Sequence, residues 1–369
     1  MKYVCKIPGK VKWDDVKDLE KMISEITENK SKIKSFELTH NSIGVECAKE
    51  LSKAISLIEN LSSVNYRDLF VSRLKEELPI SLKYLMESLM NKNISFLDLS
   101  DNAFGPIAIP SFDFFLREAT SLEHLELENN GLGPEGAEMV CNALLQNDKI
   151  NLKTIKINRN RLEEKGALSL SKVLEKMKSL ENLEMYQNGI SSTGMKAIFL
   201  AIKENKNIKS IKINDNCIKD SIQYLIKILP ELTQLKIIDI SDSLIGNKFG
   251  IEFFKTISKL DNIEEVYCNY NEIEDKNGQK EIFEYIQKNK NIKIVELKGN
   301  EINKDLYKKY EKNMKENLDK FDCYSENEDE FEEEEKEEGK EEDKEEDKEK
   351  KDKEADKLAD CINKIDLNK

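Results

Sequence analysis

An eleven-residue pattern recurs nine times along the 369-residue chain and constrains its possible folds more than any other feature. The pattern has apolar residues at its first, fourth, sixth and eleventh positions and a small polar residue at its ninth. From Asn102 onward, this ninth residue recurs at intervals of 27 to 30 residues. A near-constant period of this length is typical of a solenoid, in which each repeat packs only on its neighbours.

Each repeat predicts one short strand followed by one helix. The alternating apolar residues of the pattern predict the strand. Apolar residues at helical spacing follow it, as in residues 136–145 and 167–174. A helix is wider than a strand, so stacked units of this kind must curve. The sequence therefore predicts an α/β fold: a leucine-rich-repeat solenoid, a ribonuclease-inhibitor-like horseshoe with a parallel sheet on its concave face and helices on its convex face.

The polar ninth residue is predicted to form a ladder inside the solenoid. Turned inward, an asparagine amide can hydrogen-bond the backbone of adjacent turns, where an apolar side chain would leave buried amides unpaired. The predicted ladder residues are Asn41, Asn102, Asn130, Asn160, Asn188, Asn216, Asn271 and Asn300, with Ser243 at the equivalent position of the seventh regular match.

The repeats also set the predicted domain boundaries. The solenoid covers residues 33–303 as about ten repeats, one of them degenerate and placed near residues 61–70. End repeats need covering, so we expect an N-terminal helical cap with Trp13 in its core, and a C-terminal closing helix. An acidic, lysine-rich stretch has too few apolar groups to fold and is predicted to be disordered. The flanking segments are the cap at 1–32, the closing helix at 304–324, the disordered tail at 325–355 and a short amphipathic segment at 356–369.

The charge of the chain lies mostly in that tail. The net charge is −14, and residues 326–354 contribute −12 through 19 acidic residues and 7 lysines. The near-neutral remainder argues against nucleic-acid and anionic-membrane binding, which need basic surface. No apolar run predicts a transmembrane helix or a secretory signal. Seven scattered cysteines and two histidines indicate reduced intracellular thiols and disfavour a metal site.

The sequence has no motif for self-contained catalysis. Walker A, G-x-S-x-G, H-E-x-x-H and H-R-D patterns do not occur, so no enzyme activity and no cofactor of its own are predicted. Gly131, Gly133 and Gly136 match G-x-G-x-x-G between a strand and a helix. However, a glycine also follows the ladder residue in 41–44 and 102–105. A strand-to-helix turn explains these glycines better than a dinucleotide site.

Two features of the solenoid are candidates for partner binding. The residue before each ladder position has no predicted role in the core, and at Asn129 it is an amide predicted to be free. The second feature is the charged, irregular segment 67–79, because irregular insertions on a rigid scaffold often serve function. Taken alone, Asn129 is better explained as an exposed turn residue, and Arg73 as a solvated charge. The row that holds Asn129 supplies three further candidate contacts, namely Asp101, Arg159 and Gln187.

At these residues the sequence resembles the Ran GTPase-activating protein family. The similarity runs from about residue 33 to 303, and the order of solenoid, acidic tail and short final segment is similar to the shorter fungal-type members. Two departures are Ser243, where the family often has cysteine, and residues 107–112, which are unlike other members. The segments that show the similarity are 70–79, 99–106, 122–134, 158–163, 185–190, 214–216 and 270–273.

The resemblance implies an activator that works on the GTPase's own active site. Members of the family bind Ran in its GTP form and stimulate GTP hydrolysis in the cytoplasm, in support of nucleocytoplasmic transport. They position the catalytic glutamine of the GTPase without an arginine finger. The family's essential asparagine falls on Asn129, its important arginine on Arg73 in support of the interface, and a neighbouring basic contact on Lys75.

The same resemblance implies the partners. GTP and Mg²⁺ are expected to be held by the GTPase, a Ran-binding-domain protein is a candidate second partner, and the chain itself is expected to be a monomer, cytoplasmic or perinuclear. A leucine-rich-repeat adaptor or inhibitor that binds another protein on its concave rim is the alternative. An activator prefers the GTP form of Ran, whereas an adaptor need not.

Overall fold

The computed structural model describes residues 1–4 and 11–323. Its strands form a twelve-stranded sheet that follows chain order, and β2 and β4 form a separate pair. The predicted tail at 325–355 and the segment 356–369 lie outside the described residues. The strands are β1 Lys2–Val4, β2 Lys12–Trp13, β3 Ser35–Glu37, β4 Ser42–Ile43, β5 Ser63–Asn65, β6 Phe96–Asp98, β7 His124–Glu126, β8 Thr154–Lys156, β9 Asn182–Glu184, β10 Ser210–Lys212, β11 Ile237–Asp239, β12 Glu265–Tyr267, β13 Ile294–Glu296 and β14 Lys320–Asp322.

One helix follows nearly every strand of the large sheet. Short 3₁₀ turns replace or extend helices at Val16–Leu19, Pro106–Ser111, Lys219–Ser221 and Leu229–Glu231. The α-helices are α1 Glu20–Asn29, α2 Val45–Ser56, α3 Glu77–Glu87, α4 Asp113–Glu118, α5 Gly133–Gln146, α6 Glu163–Lys176, α7 Ser192–Ile202, α8 Ile222–Ile228, α9 Gly246–Ile257, α10 Lys276–Lys288 and α11 Lys304–Asn317.

The sheet is parallel and in register from repeat to repeat. The middle residue of each strand aligns with the middle residue of the next, as in the series Leu97, Leu125 and Ile155. These middle side chains are buried against the helices. Side chains alternate along a strand, so the residues on either side of the middle one face the concave surface. The chain is therefore a leucine-rich-repeat solenoid with the predicted arrangement of sheet and helices.

The ladder asparagines hold adjacent turns together. Asn160 is fully buried. Its Oδ1 accepts hydrogen bonds from the backbone amides of Asn130 and Leu132, at 3.0 and 3.3 Å. Its Nδ2 donates to three carbonyl oxygens, including that of Leu127 at 2.7 Å. The side chain thus satisfies backbone groups of two successive repeats, as the sequence pattern predicts.

The degenerate repeat is built differently. It contains β5 and α3, and Leu69 occupies its ladder position, where it is fully buried. Leu69 cannot serve the backbone amide of Asn41, which donates to the carbonyl oxygen of Asp68 at 3.0 Å instead. The following loop pairs back on the first repeat, because Ser42 bridges Phe70 and its Oγ donates to the carbonyl oxygen of Val71 at 2.6 Å.

Both ends of the solenoid contain strands in addition to the expected helices. The sequence predicts an N-terminal helical cap, and the structure adds strands to its helix, since β1 pairs with β3 and β2 pairs with β4. Trp13 at the end of β2 is buried, as expected. At the other end, β14 follows α11 and pairs with β13. An uncovered parallel strand leaves a row of unpaired backbone groups, so each end repeat is closed by a further strand as well as by a helix.

A second set of asparagines, missed by the sequence analysis, lies on the helical side. Asn147 Nδ2 donates to the carbonyl oxygens of Leu116 and Ala119 at 2.9 and 2.8 Å, at the end of the preceding repeat's helix. Asn205 and Asn289 make equivalent contacts. These residues satisfy helix-end carbonyl groups that have no partner within their own helix.

Residues 1–4 and 11–323 contain neither a membrane-spanning helix nor a recognisable metal site. No helix there is long and apolar enough to cross a membrane. No group of three or more histidine, cysteine, aspartate or glutamate side chains in that part is arranged to hold a metal ion.

Candidate functional site

The residue before each ladder position has a left-handed backbone conformation in every repeat. The φ angles of these residues lie between +49° and +62°. Each non-glycine member from His40 to Tyr270 also donates its backbone N–H to a carbonyl oxygen of the next repeat. Left-handed φ is tolerated best by asparagine and aspartate among residues with a Cβ, which accounts for their frequency here. We call this set the αL row: His40, Asp68, Asp101, Asn129, Arg159, Gln187, Asp215, Asp242, Tyr270 and Gly299.

Asn129 lies in the αL row, in the turn that follows β7, and its side chain is exposed. The sequence predicted a free amide at this position, but the amide of Asn129 has a hydrogen-bond partner. Asn129 Nδ2 donates to Asp101 Oδ1 of the preceding repeat at 2.8 Å. The αL conformation brings corresponding side chains of successive repeats side by side, which sequence spacing could not reveal. Asn129 thus presents its remaining polar atom, Oδ1, at the surface.

Asp101 and Arg67 form an ion pair beside Asn129. Arg67 Nε lies 2.7 Å from Asp101 Oδ2, and Arg67 Nη1 lies 3.1 Å from Glu128 Oε2. Burial by itself would lower the pKa of Arg67, but the nearby carboxylates of Asp101, Asp98 and Glu128 raise it. Arg67 therefore stays charged and joins three successive repeats. In the sequence, Arg67 is only the first residue of the irregular segment 67–79, and nothing there predicted this role.

Glu128 connects this ion pair to the next two repeats. Its Oε1 accepts a hydrogen bond from Asn158 Nδ2 at 2.6 Å and one from the Tyr186 hydroxyl at 3.4 Å. Partial burial, together with the charge of Glu128, raises the pKa of Tyr186. Tyr186 consequently remains a neutral donor. The result is a polar network on the concave face that runs from β5 to β9 and passes beside Asn129.

Two acidic side chains beneath this network are largely buried. Burial raises the pKa of Asp98, although its hydrogen bond from the backbone N–H of Ser100, 2.9 Å long, opposes the shift. Burial also raises the pKa of Glu126, against the effect of Lys156 at 3.1 Å. The concave face near Asn129 therefore holds two buried carboxyl groups, each next to a cation, Arg67 for Asp98 and Lys156 for Glu126.

Arg73 lies in the irregular loop and is a buried side chain, not a solvated charge. Only 4% of its side chain is exposed. Arg73 Nη1 pairs with Asp14, and Nη2 donates to the carbonyl oxygens of Trp13 and Ser42, both at 3.1 Å. The pairing with Arg73 lowers the pKa of Asp14. Arg73 thus fastens the loop after Phe70 to the N-terminal cap, and its guanidinium is not presented to a partner.

The other predicted contact residues are at the surface. Lys75 is exposed on the loop beside Arg73, and Arg159 and Gln187 are exposed in the αL row beyond Asn129. Gln187 hydrogen-bonds Asp215, whose pKa is nevertheless raised by partial burial and by the charge of Asp242. The αL row therefore places Asp101, Asn129, Arg159 and Gln187 side by side, one per repeat. Lys75 lies apart from them, on the loop of the degenerate repeat.

The glycine-rich segment 131–136 is a strand-to-helix turn. Gly131 and Gly133 have φ angles of +62° and +63°. Arg161 and Glu163 take the same conformation at the same positions of the next repeat, with φ of +53° and +54°. A Cβ at Gly136 would lie 3.3 Å from Leu132 Cβ, so this glycine allows close packing inside the repeat. The repeat geometry accounts for all three residues without a bound nucleotide.

Comparisons with known proteins agree with the fold and identify the family. A family model described as "Leucine Rich repeat" matches residues 118–141. The chain is 30% identical to Ran GTPase-activating protein 1 of Saccharomyces cerevisiae over 323 residues, which cover 82% of this chain and 79% of the yeast protein. The chain belongs to the Ran GTPase-activating protein family.

Other relatives match this member of the Ran GTPase-activating protein family over shorter stretches. Ran GTPase-activating protein 1 of Xenopus laevis is 34% identical over 193 residues, covering 49% of this chain and 33% of the frog protein. Ribonuclease inhibitor of Mus musculus is 25% identical over 175 residues, covering 47% of this chain and 37% of the mouse protein. The chain thus spans about a third of its frog relative, and the similarity to the mouse protein agrees with the horseshoe type of solenoid.

Proposed function

We propose that this chain stimulates hydrolysis of GTP bound to the small GTPase Ran. The observation that supports this most directly is Asn129, an exposed and oriented amide on the αL row of a chain that belongs to the Ran GTPase-activating protein family. Asn129 is the residue proposed to hold the GTPase's own catalytic glutamine. A glutamine held in place orients the attacking water, so the activator acts by positioning and supplies no reacting group.

Arg73 is proposed to support the interface without contacting phosphate. Its guanidinium would have to leave Asp14 and two carbonyl oxygens to reach a bound nucleotide. Breaking these contacts would take a donor away from the carbonyl groups of Trp13 and Ser42, at a cost in free energy. Arg159, one repeat beyond Asn129, is exposed and therefore better placed than Arg73 to serve as an arginine finger. A variant of Arg159 tests this alternative.

We also propose the partners of the chain and its location in the cell. GTP and Mg²⁺ are held by the GTPase, and the chain contributes no cofactor. Asp101, Arg159 and Gln187 contact the GTPase around Asn129, and Lys75 contacts it from the loop of the degenerate repeat. A Ran-binding-domain protein is a second partner of the complex, and the chain acts as a monomer in the cytoplasm or near the nuclear envelope, in support of nucleocytoplasmic transport.

The test is GTP hydrolysis by purified Ran with catalytic amounts of the parent chain or of its variants Asn129→Ala, Arg73→Ala and Arg159→Ala. We expect the parent to accelerate hydrolysis by several orders of magnitude, as GTPase activators do. Asn129→Ala should lose at least about 100-fold of that effect, a loss typical of a removed positioning group. Arg159→Ala should mainly raise KM, because an interface charge affects encounter more than chemistry.

Three other outcomes would revise the proposal. A folded parent without any effect on Ran would leave a leucine-rich-repeat adaptor or inhibitor that binds another protein on its concave rim. Full activity of Asn129→Ala would keep the family function but remove this residue from the site. A loss of about 1,000-fold or more in kcat for Arg159→Ala would identify an arginine finger.

A further inference from the structure

We infer that Arg67 and Asp101 fix the amide of Asn129 in one orientation, with its NH₂ group toward Asp101 and its acceptor oxygen Oδ1 turned toward the GTPase. Arg67 and Asp101 are then positioning residues that act through Asn129. This inference rests on the proposed function, because it specifies how the same residue engages the GTPase.

The orientation follows from the chemistry of the two side chains that meet. Asn129 Nδ2 lies 2.8 Å from Asp101 Oδ1. An ionised carboxylate only accepts hydrogen bonds, whereas an amide has a donor group and an acceptor oxygen. Asn129 can therefore face Asp101 only with its NH₂ group. The opposite orientation would place two acceptor oxygens against each other, so Oδ1 is left for the partner.

Asp101 is in turn held in place by Arg67. Arg67 Nε lies 2.7 Å from Asp101 Oδ2, so both carboxylate oxygens are engaged. The guanidinium is anchored on its other side by Glu128. Only 28% of the Asp101 side chain and 35% of the Arg67 side chain are exposed, which limits screening by water. The chain of contacts Arg67–Asp101–Asn129 thus crosses three repeats and ends at the surface.

The backbone restricts the position of Asn129 further. Its φ angle is +49°, and its backbone N–H donates to the carbonyl oxygen of Asn158 at 2.9 Å. With the backbone fixed, the two side-chain torsions of Asn129 remain, and the hydrogen bond to Asp101 restricts both. An amide without a charged neighbour turns over at little cost and offers either group. Asp101 removes that freedom before the partner arrives, and preorganised groups of this kind lose less entropy on binding.

The orientation of the Asn129 amide determines which atom of the GTPase's catalytic glutamine it contacts. An acceptor on the activator pairs with the side-chain NH₂ of a glutamine. The carbonyl oxygen of that glutamine then stays available to accept a hydrogen bond from the attacking water. A donor on the activator would occupy this carbonyl oxygen instead. The Asp101 contact therefore selects the productive arrangement over the unproductive one.

The decisive variant is Asp101→Asn, with Asp242→Asn as its matched control. Both aspartates lie in the αL row with φ angles of +59° and +51°, and asparagine tolerates this conformation well. Both substitutions remove one negative charge. In Asp101→Asn the new amide loses the ion pair with Arg67 and can either accept from or donate to Asn129, so the Asn129 amide is no longer fixed. Asp242 lies four repeats beyond Asn129 in the row and does not contact it.

We expect Asp101→Asn to lower kcat for hydrolysis of Ran-bound GTP about tenfold and to raise KM by a smaller factor, because a misplaced Asn129 affects the chemical step whereas the lost charge of Asp101 affects only the contact with the GTPase. Asp242→Asn should stay within about twofold in both parameters. An unchanged kcat for Asp101→Asn would overturn the inference. An equal loss in Asp242→Asn would also overturn it, since the effect would then be one of charge along the row.

A second readout needs no GTPase. The side-chain NH₂ resonances of Asn129 can be identified in ¹H–¹⁵N spectra by their loss in Asn129→Ala. In Asp101→Asn these resonances should shift and exchange faster with water, and in Asp242→Asn they should not change. Unchanged resonances in Asp101→Asn would contradict the inference even if activity fell. If the parent chain failed to activate Ran, the proposed function would be wrong, and the spectra would still decide whether Asp101 orients this amide.

Discussion

We call β8 to β13 the regular part, because every ladder position there is polar, with Ser243 in place of asparagine once, and the repeats of β5 and β6 the irregular part. In the regular part, Asn188 and Asn216 make nearly the same set of ladder hydrogen bonds. In the irregular part, Leu69 takes the ladder position, and a 3₁₀ turn at Pro106–Ser111 precedes a short α4. Most of the side chains proposed to act on the GTPase lie in or next to the irregular part.

In this repeat fold, the residues that stabilise the regular repeats differ from those proposed to act on the GTPase. Each regular repeat contacts only its neighbours, so its residues are determined by the repeat itself. The irregular loop makes contacts that the repeat does not require. Arg73 reaches the N-terminal cap across 60 residues of sequence, and Arg67 reaches Glu128 across 61. Such contacts hold an irregular surface in one conformation on an otherwise regular scaffold.

The largest expected difference in stability between the two parts comes from substitutions at the ladder position. Asn188→Leu in the regular part should lower the free energy of unfolding by about 3–5 kcal/mol, because it leaves several buried backbone groups unpaired. Leu69→Asn in the irregular part should also destabilise the chain, by roughly 1–3 kcal/mol, since it buries an amide where the backbone is already paired. Urea unfolding measures both. Stabilisation by Leu69→Asn would show that the degenerate repeat has a vacant ladder site and would remove this distinction.

The next effect concerns the contact between the irregular loop and the cap. Arg73→Ala should cost about 2–3 kcal/mol, because it removes hydrogen bonds from a buried guanidinium and leaves their partners unsatisfied. Arg117→Ala is the control, since Arg117 forms a half-exposed pair with Asp113 within α4 and should cost below about 1 kcal/mol. Amide hydrogen exchange should quicken at residues 11–14 and 42–44 in Arg73→Ala and stay unchanged in β10 to β13. Faster exchange throughout would mean that Arg73 supports the whole solenoid.

The smallest expected effect is a difference in how two acidic residues, Asp98 and Glu264, make the stability of the fold depend on pH. Burial raises the pKa of Asp98 in the folded chain, so the folded state binds the proton more tightly and stability falls as pH rises through the interval above the unfolded pKa. Asp98→Asn retains an acceptor for Ser100 and should raise Tm at about pH 7 by about 2 °C, with no gain near pH 3.

Glu264, in the regular part, should show the opposite dependence. Hydrogen bonds from Lys236 and Lys293 lower the pKa of this partly exposed carboxyl to about 2. Its contribution is present above the unfolded pKa and is lost as pH falls toward about 2. Glu264→Gln should therefore lower Tm slightly at about pH 7 in low salt, and added salt should reduce the difference. Calorimetry at several pH values gives the change in Tm of each variant relative to the parent. If this change varied with pH in the same direction for both variants, the assignment would be refuted.

Much of the fold was predictable because the ladder pattern is local. An asparagine at a fixed place in each repeat, with apolar residues at fixed offsets, is sufficient to predict the strand, the turn and the direction of stacking. The same pattern predicted that the residue before each ladder position is exposed, and Asn129 is. It did not predict the αL conformation of that row or the inclusion of Asp68, because the row has no common side-chain type.

The strands added at both ends were not predictable from the repeat. Residues 2–4 and 320–322 lack the eleven-residue pattern and become strands because a neighbouring strand offers them unpaired backbone groups. The helical-side asparagines were missed for a related reason. Asn147 contacts carbonyl groups 28 and 31 residues earlier, and an isolated asparagine after a helix does not reveal this.

The repeat pattern alone was enough to establish a solenoid with a parallel sheet, since each repeat must bury its apolar side chains against its neighbours. The direction of the Asn129 amide and the burial of Arg73 were decided only when the repeats stacked. Their partners lie 28 residues away for Asn129 and 59 residues away for Arg73, and these side chains meet only in the folded solenoid. Hydrogen bonds depend on distances of a few tenths of an ångström, which a spacing in sequence does not contain.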